Sequence, residues 1–447
     1  METTITRRNA LAGLAALLAG CASTRAAAPE PAATYTNTET TTEPGTAALP
    51  PTVAPFHAAM ADLALVSADG RVAVLRNGVF GEPADGLIAS DGRTLVATTI
   101  ASASTMVTWL DLGDSATVAT ATVAGHLRAI ATDRSGGVVA LTGSNPEVVN
   151  GTEIVAVGHD GVIFRRRYDT ELLPEGFAAV TDENGLPIGM FVQEFLDPPD
   201  PDRQAPRWYQ VRVLDLATGE LSLPFNLRDK SQQVDEQMLG FGRTRVQSDV
   251  NGLLFTLYRG IYEDSSDGVS SEYAFVHTLG FFNGVWCLDL PRELSLEWES
   301  GALGLIDGER SLLVVSSNGF VSEFRIGDIT EFTDDVAAMP AARRTAKVWT
   351  PPASADGPAV ATSPAGIVIG QGTTLRWIDP DTLAETTSLD WDLRIESVHI
   401  LGNESSDVIA VGSGRAAQIR PKGGDLVAEV PLPSGFGGIT RIVELPS

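Results

Sequence analysis

The sequence predicts an all-β chain built from repeated four-stranded antiparallel units, and three observations predict it. From Asp62 onward, short runs rich in Val, Ile and Leu are broken by Gly, Asp, Asn and Ser turn signals. One motif, an apolar strand, then Asp-Gly or Asn-Gly, then a second strand, recurs in Leu63–Leu75 around Asp69-Gly70. It returns in Ile154–Phe164 around Asp160-Gly161 and in Leu312–Val321 around Asn318-Gly319. Those dipeptides supply the positive φ that tight hairpin turns require. A third element places an aspartate at the end of a strand, before a turn: Trp109-Leu110-Asp111, Val213-Leu214-Asp215 and Trp377-Ile378-Asp379.

Taken in order, the units begin near Leu87, Leu127, Phe177, Arg245, Leu303, Val360 and Ile395. Their spacing of about 40–55 residues is the period of a β-propeller blade. Two pieces are left over. Ile439–Glu444 reads as a first strand, and the Leu63–Leu75 hairpin reads as a second and third strand. Joined, they make one more blade that closes the ring with strands from both termini and removes open sheet edges. The expectation is a β-propeller of seven or eight four-stranded blades. A tandem pair of β-sandwiches is the architectural alternative.

The units resemble the degenerate blades of WD-repeat (WD40-like) and YVTN-type propellers. Gly125-His126 ahead of Ala129-Ile130-Ala131-Thr132-Asp133 resembles the Gly-His that opens a WD repeat. Leu214-Asp215-Leu216-Ala217-Thr218-Gly219 resembles the strand and turn of a YVTN blade. The Trp-Asp pair itself occurs only as Trp391-Asp392, away from its usual position. The resemblance spans about Asp62 to Ser447 and is carried by repetition.

Residues 1–20 read as an export signal. Arg7 and Arg8 precede an apolar run, Ala10–Ala19, which is shorter than the roughly 20 residues of a permanent membrane span. Leu18-Ala19-Gly20-Cys21 resembles the lipobox of bacterial lipoproteins, which implies lipidation of Cys21 and a lipid anchor on the extracytoplasmic face of the cell membrane. Arg7-Arg8 with Leu11 also resembles a twin-arginine signal. Residues 21–60 are dominated by Ala, Thr, Pro and Glu, and hold almost no large apolar side chains. Such a segment cannot offset its own ordering entropy and reads as a disordered tether. Residues 61–447 are the propeller domain.

A formal net charge of −26 over 447 residues repels nucleic acid and anionic lipid, so contact with the membrane would have to run through the lipid on Cys21. Cys21 and Cys287 are the only cysteines. This excludes a disulfide scaffold and a cysteine-built zinc site, and leaves Cys287 as a lone thiol among apolar neighbours.

The candidate chemistry is sparse. Five histidines, His57, His126, His159, His277 and His399, are scattered with no ligand-pair spacing. Asp197–Asp202 and Glu263–Gly268 are acidic loops; the second begins like a calcium loop but carries Ala274 where a bidentate Glu is needed. Tyr273–Pro291 is the most aromatic stretch. With a turn at Asn283-Gly284, it reads as a tightly packed blade core, with an aromatic ligand surface as the rival. Gly-x-Ser-x-Gly, Walker and dinucleotide motifs are absent. No catalytic residue, metal ligand or cofactor is implied.

The functional expectation is a monomeric binding or scaffold module for an envelope protein, peptide or glycan. Insertions near 194–209, 226–245 and 259–272 are the expected specificity face. The alternative is a propeller hydrolase or oxidoreductase, lactonase-like, quinone-dependent or glycosidase-like, with its site at the channel mouth.

Overall fold

The computed structural model describes residues 61–447, apart from 182–186, 197–206, 265–268, 281–283, 291–300, 332–339, 352–356, 403–406, 421–424, 446–447 and positions 68, 90, 134–135, 236, 249 and 365. The export signal, Cys21 and the tether lie outside the described residues. The chain divides into two units. Residues 1–55 with 263–270 form one, almost wholly outside the described residues, and 56–262 with 271–447 form the other, which is described below.

Eight four-stranded antiparallel blades are present among the described residues. The first combines Ile439–Glu444 with Leu63–Ser67, Arg71–Arg76 and the two-residue Val79–Phe80. The second runs Ala84–Ile88, Thr94–Ala101, Ser104–Asp111, Thr117–Ala124, and the third Arg128–Thr132, Val138–Ser144, Thr152–Gly158, Gly161–Tyr168. The fourth runs Leu172–Thr181, Pro187–Phe195, Trp208–Asp215, Leu221–Ser222, and the fifth Gln237–Ser248, Leu253–Asp264, Val269–Gly280, Gly284–Asp289. The sixth is Ala302–Ile306, Ser311–Val315, Phe320–Arg325, Arg344–Lys347. The seventh is Ala359–Ser363, Gly366–Gln371, Thr374–Ile378, Glu385–Asp390, and the eighth Ile395–Ile400, Val408–Gly412, Arg415–Arg420, Asp425–Pro431.

The core shows how the blades form a ring. Leu63–Ser67 is buried at every position, because alternate side chains enter two different interblade cores. Leu63 and Leu65 pack with Ile409, Val411 and Phe436 against the eighth blade. Ala64 and Val66 pack with Ile88 and Leu95 against the second. Corresponding clusters fill the second–third, third–fourth, fourth–fifth, fifth–sixth, sixth–seventh and seventh–eighth junctions. Each of the eight junctions thus has its own core, and the ring closes. Burying each such Leu or Val contributes about 1.5–3 kcal/mol.

At the clasp, Leu63–Ser67 pairs antiparallel with Ile439–Glu444. Arg441 Nη1 donates to the carbonyls of Ile88 (3.1 Å) and Ala89 (3.2 Å) of the second blade.

Two blades have a fourth strand of only two residues, Val79–Phe80 and Leu221–Ser222. In both, the start of the next blade's first strand covers the third strand's exposed edge. Arg71 and Val72 pair with Asp85 and Ala84. Trp208, Tyr209 and Gln210 pair with Leu239, Met238 and Gln237. The fourth and fifth blades therefore share one continuous sheet. The only α-helix among the described residues is Ile326–Thr330, and no described helix is long and apolar enough to cross a membrane.

Candidate functional site

Antiparallel order sorts the loops. Turns between second and third strands, and connections from one blade to the next, lie at one end of the ring; the remaining turns lie at the other. Segment 194–209 holds the second-to-third turn of the fourth blade, and 226–245 carries the connection into the fifth. Leu253–Asp264 and Val269–Gly280, the strands around 259–272, are 12 residues each, against five to nine for their counterparts in the other blades. All three predicted insertions belong to the same end of two adjacent, sheet-sharing blades.

The described side chains at the base of these segments include an exposed apolar pair and two arginine–glutamate ion pairs. Trp208 and Leu196, 38 % and 39 % exposed, sit on facing strands, where the Leu196 N–H donates to the Trp208 carbonyl at 3.0 Å. Arg207 lies over the Phe195 ring at 4.2 Å and donates to Glu171 at 2.8 Å. Arg212 donates to Glu194 at 2.8 Å and faces Asp235 at 3.8 Å.

Beneath them is a packed aromatic column. Gln193 Nε2 donates to the Tyr258 hydroxyl at 2.9 Å, Tyr258 stacks on Phe275 at 5.2 Å, and His277 meets Tyr258 edge-on at 5.8 Å. This is the Tyr273–Pro291 region. Phe275, Leu279 and Leu288 are 4 % exposed or less, as expected of a blade core. One detail differs from expectation. Gly280 pairs with Gly284, so Gly284 opens the fourth strand and the connection is 281–283.

The remaining candidates do not converge. His126 contacts the Ser102 carbonyl at 2.8 Å through Nε2, and His159 packs edge-on against Trp109 at 5.1 Å. His399 lies in the first strand of the eighth blade. Burial holds it below the usual imidazole range, with Arg441 adding to the effect and Glu444 opposing it. His57 and most of the two acidic loops lie outside the described residues. No group of three His, Cys, Asp or Glu poised for a metal occurs among the described residues. Cys287 is partly buried, 3.7 Å from Met238 Sδ.

The strand-end aspartates are turn anchors. Asp215 accepts from the Ala217 and Thr218 amides, and Asp379 from those of Asp381 and Thr382. The Thr382 amide, with the Thr382 hydroxyl and the Asp381 amide adding to it, keeps Asp379 below the usual carboxylate range.

Sequence reading missed two buried carboxylates that tie third strands to fourth strands. Glu153 is held by Arg165 and Arg167, and Glu323 by Arg343 and Arg344. Burial disfavours the Glu323 charge, but a hydrogen bond from Ser311 and the two guanidinium groups outweigh it and hold the carboxyl low. The only sequence signal is a Glu facing Arg across a hairpin, which is invisible until the register is known. Also missed is a groove of about 420 Å³ at the rim between the eighth and first blades, lined by Val79, Phe80, Pro83, Pro431 and Pro433.

No family model matches the chain, and no curated protein does. Solved structures with a similar course include Sqt1 from Saccharomyces cerevisiae, at 11% identity over 87% of this chain and 100% of that one, with a TM-score of 0.45. The β-propeller domain of Cps50 (Swd1) from Myceliophteria thermophila gives 9% identity over 73% and 91%, with a TM-score of 0.37. BamB from Moraxella catarrhalis gives 11% over 80% and 92%, also with a TM-score of 0.37. At these scores the likenesses carry no argument; the strand pairing and the ring of eight cores define the propeller.

Proposed function

We propose that this chain is an exported lipoprotein, lipidated at Cys21 and held by the 21–60 tether on the extracytoplasmic face of the cell membrane. There its propeller serves as a binding or scaffold module for an envelope protein, peptide or glycan. The observation that carries the binding reading is that the predicted insertions leave the same end of the fourth and fifth blades, the end at which Leu196 and Trp208 are exposed. An exposed aromatic and aliphatic pair, with the ion pairs Arg207–Glu171 and Arg212–Glu194 at the same strand ends, has the composition of an interaction surface. The Leu18–Cys21 motif and the tether composition support the anchoring half.

A photo-crosslinking residue at position 208 tests the binding half in intact cells. The same probe at position 382, in a turn at the opposite end of the ring, is the control. Defined adducts from 208 and none from 382 are expected; equal labelling from both positions would remove the assignment. Metabolic lipid labelling that survives Cys21→Ala would overturn the anchor.

A further inference from the structure

We propose that the outer edge of the second blade pairs with the same edge of a second copy of this chain, antiparallel, across a two-fold axis through Ala121. The sequence alone leads one to expect a monomer; the argument for a pair is the condition of this edge.

Outer strands expose unpaired backbone groups, and soluble proteins blunt them with charge, proline, shortness or cover. The other blades described here do so. Val79–Phe80 and Leu221–Ser222 are two residues long. Gly161–Tyr168, Arg344–Lys347, Glu385–Asp390 and Asp425–Pro431 carry charged side chains. Gly284–Asp289 is covered in parallel by Phe225–Asn226.

Thr117–Ala124 is the exception among the described residues. Its sequence, Thr-Val-Ala-Thr-Ala-Thr-Val-Ala, has eight residues and no charge, and six of its positions lie on the Ser104–Asp111 side in regular register. Val118 is 55 % exposed, and Thr120 and Thr122 are exposed. On one side the neighbouring fourth strand is the stunted Val79–Phe80, which leaves room for an approaching chain.

The hydrogen-bonding phase of this edge follows from two contacts. Gly125 N–H donates inward to the Ala103 carbonyl at 2.8 Å. Groups alternate along a strand, so those of Ala124, Thr122 and Thr120 point outward. The Ala124 carbonyl does point outward, and Arg165 Nη2 caps it at 2.6 Å. The register slips between Trp109 and Leu110, which leaves Val118 as a bulge. The regular open edge is therefore Ala119–Thr122, with free outward groups at Thr120 and Thr122.

An antiparallel pair centred on Ala121 sets Thr120 against the partner's Thr122, and the reverse, so that these outward groups satisfy one another. Ala119 then faces the partner's Val123. Each cross-strand pair joins small or β-branched side chains, a combination that stabilises sheets.

Charge permits contact at this edge. Two copies of a chain at −26 repel, and this edge presents no carboxylate along its length. One strand pair buries less than the roughly 800 Å² per partner of a standard interface, so the association is expected to be weak, in the micromolar range or above.

Sedimentation velocity of the full chain in mild detergent, across a concentration series, tests the pairing. A monomer–dimer equilibrium is expected. Thr120→Lys with Thr122→Lys, which places four ammonium groups at the seam, should weaken it about ten-fold or more with an unchanged melting temperature, since both side chains are exposed. A monomer at every concentration would overturn the proposal. So would a dimer that ignores the lysines at 120 and 122.

Discussion

Arg343 Nη1 lies 3.0 Å from Glu323 Oε1, and the two side chains differ sharply in environment: that of Arg343 is 55 % exposed and that of Glu323 only 1 %. The asymmetry predicts unequal mutational costs. Glu323→Ala removes a buried acceptor from Ser311, Arg343 and Arg344 at once and should destabilise the chain by about 3–5 kcal/mol. Arg343→Ala leaves Arg344 and Ser311 in place and should cost under about 1 kcal/mol. Urea unfolding of the two variants checks the order, and equal losses would contradict it.

The Asn318-Gly319 turn gives a backbone test. Gly319 has a φ of +88°, and a Cβ there would stand 2.0 Å from the Trp349 carbonyl oxygen. Gly319→Ala must move the segment that carries Trp349, whose indole N–H donates to Gln371 at 2.6 Å. A loss of about 2 kcal/mol or more is expected. Gly414→Ala, also at positive φ but with open space around it, should cost less.

Acid should destabilise the chain in two stages. His399 titrates lower in the folded chain than its ordinary value of about 6.5, because burial penalises the imidazolium. As pH falls below that value the unfolded chain takes up the proton first, so stability declines until the folded-state pKa is passed, then levels. His399→Gln should flatten this stage alone. Glu323 and Glu153 also titrate low when folded. Their contribution is present above the ordinary glutamate range and is lost as pH falls through their depressed values. Chemical denaturation at a series of pH values, with and without His399→Gln, separates the stages; an unchanged slope near pH 6 would contradict the first.

Removing residues 434–447 should abolish cooperative unfolding. It takes away Phe436, Ile439 and Ile442, which pack on Leu63 and Leu65, together with the strand that pairs Leu63–Ser67. The expected product aggregates and binds a hydrophobic dye; a sharp thermal transition in the truncated chain would show that the clasp is dispensable.

The ring was legible because its signals are local. Asp69-Gly70 and Asn318-Gly319 mark hairpins whose glycines have φ of +79° and +88°. The units expected near Leu87, Leu127, Leu303, Val360 and Ile395 match strands at Ala84–Ile88, Arg128–Thr132, Ala302–Ile306, Ala359–Ser363 and Ile395–Ile400. The first blade was legible as two incomplete pieces, Ile439–Glu444 and Leu63–Leu75, that complete one another. Farther from such signals the reading drifted. The fifth blade starts at Gln237, ahead of Arg245, because its first residues pair back onto Trp208–Gln210, a contact that depends on how short Leu221–Ser222 is. The carboxylates at Glu153 and Glu323 were hidden for the same reason. Their partners are neighbours across a register, and a register belongs to the folded sheet.

The pairing of Leu63–Ser67 with Ile439–Glu444 also has a consequence in time. A ribosome makes the first of these strands hundreds of residues before the second. Until the second is made, Leu63 and Leu65 have no Ile439 or Ile442 to meet, and the first and eighth blades cannot join. Closure of the ring therefore waits on synthesis of Ile439–Glu444, and its slow step should be long-range pairing, sensitive to anything that holds the two strands apart.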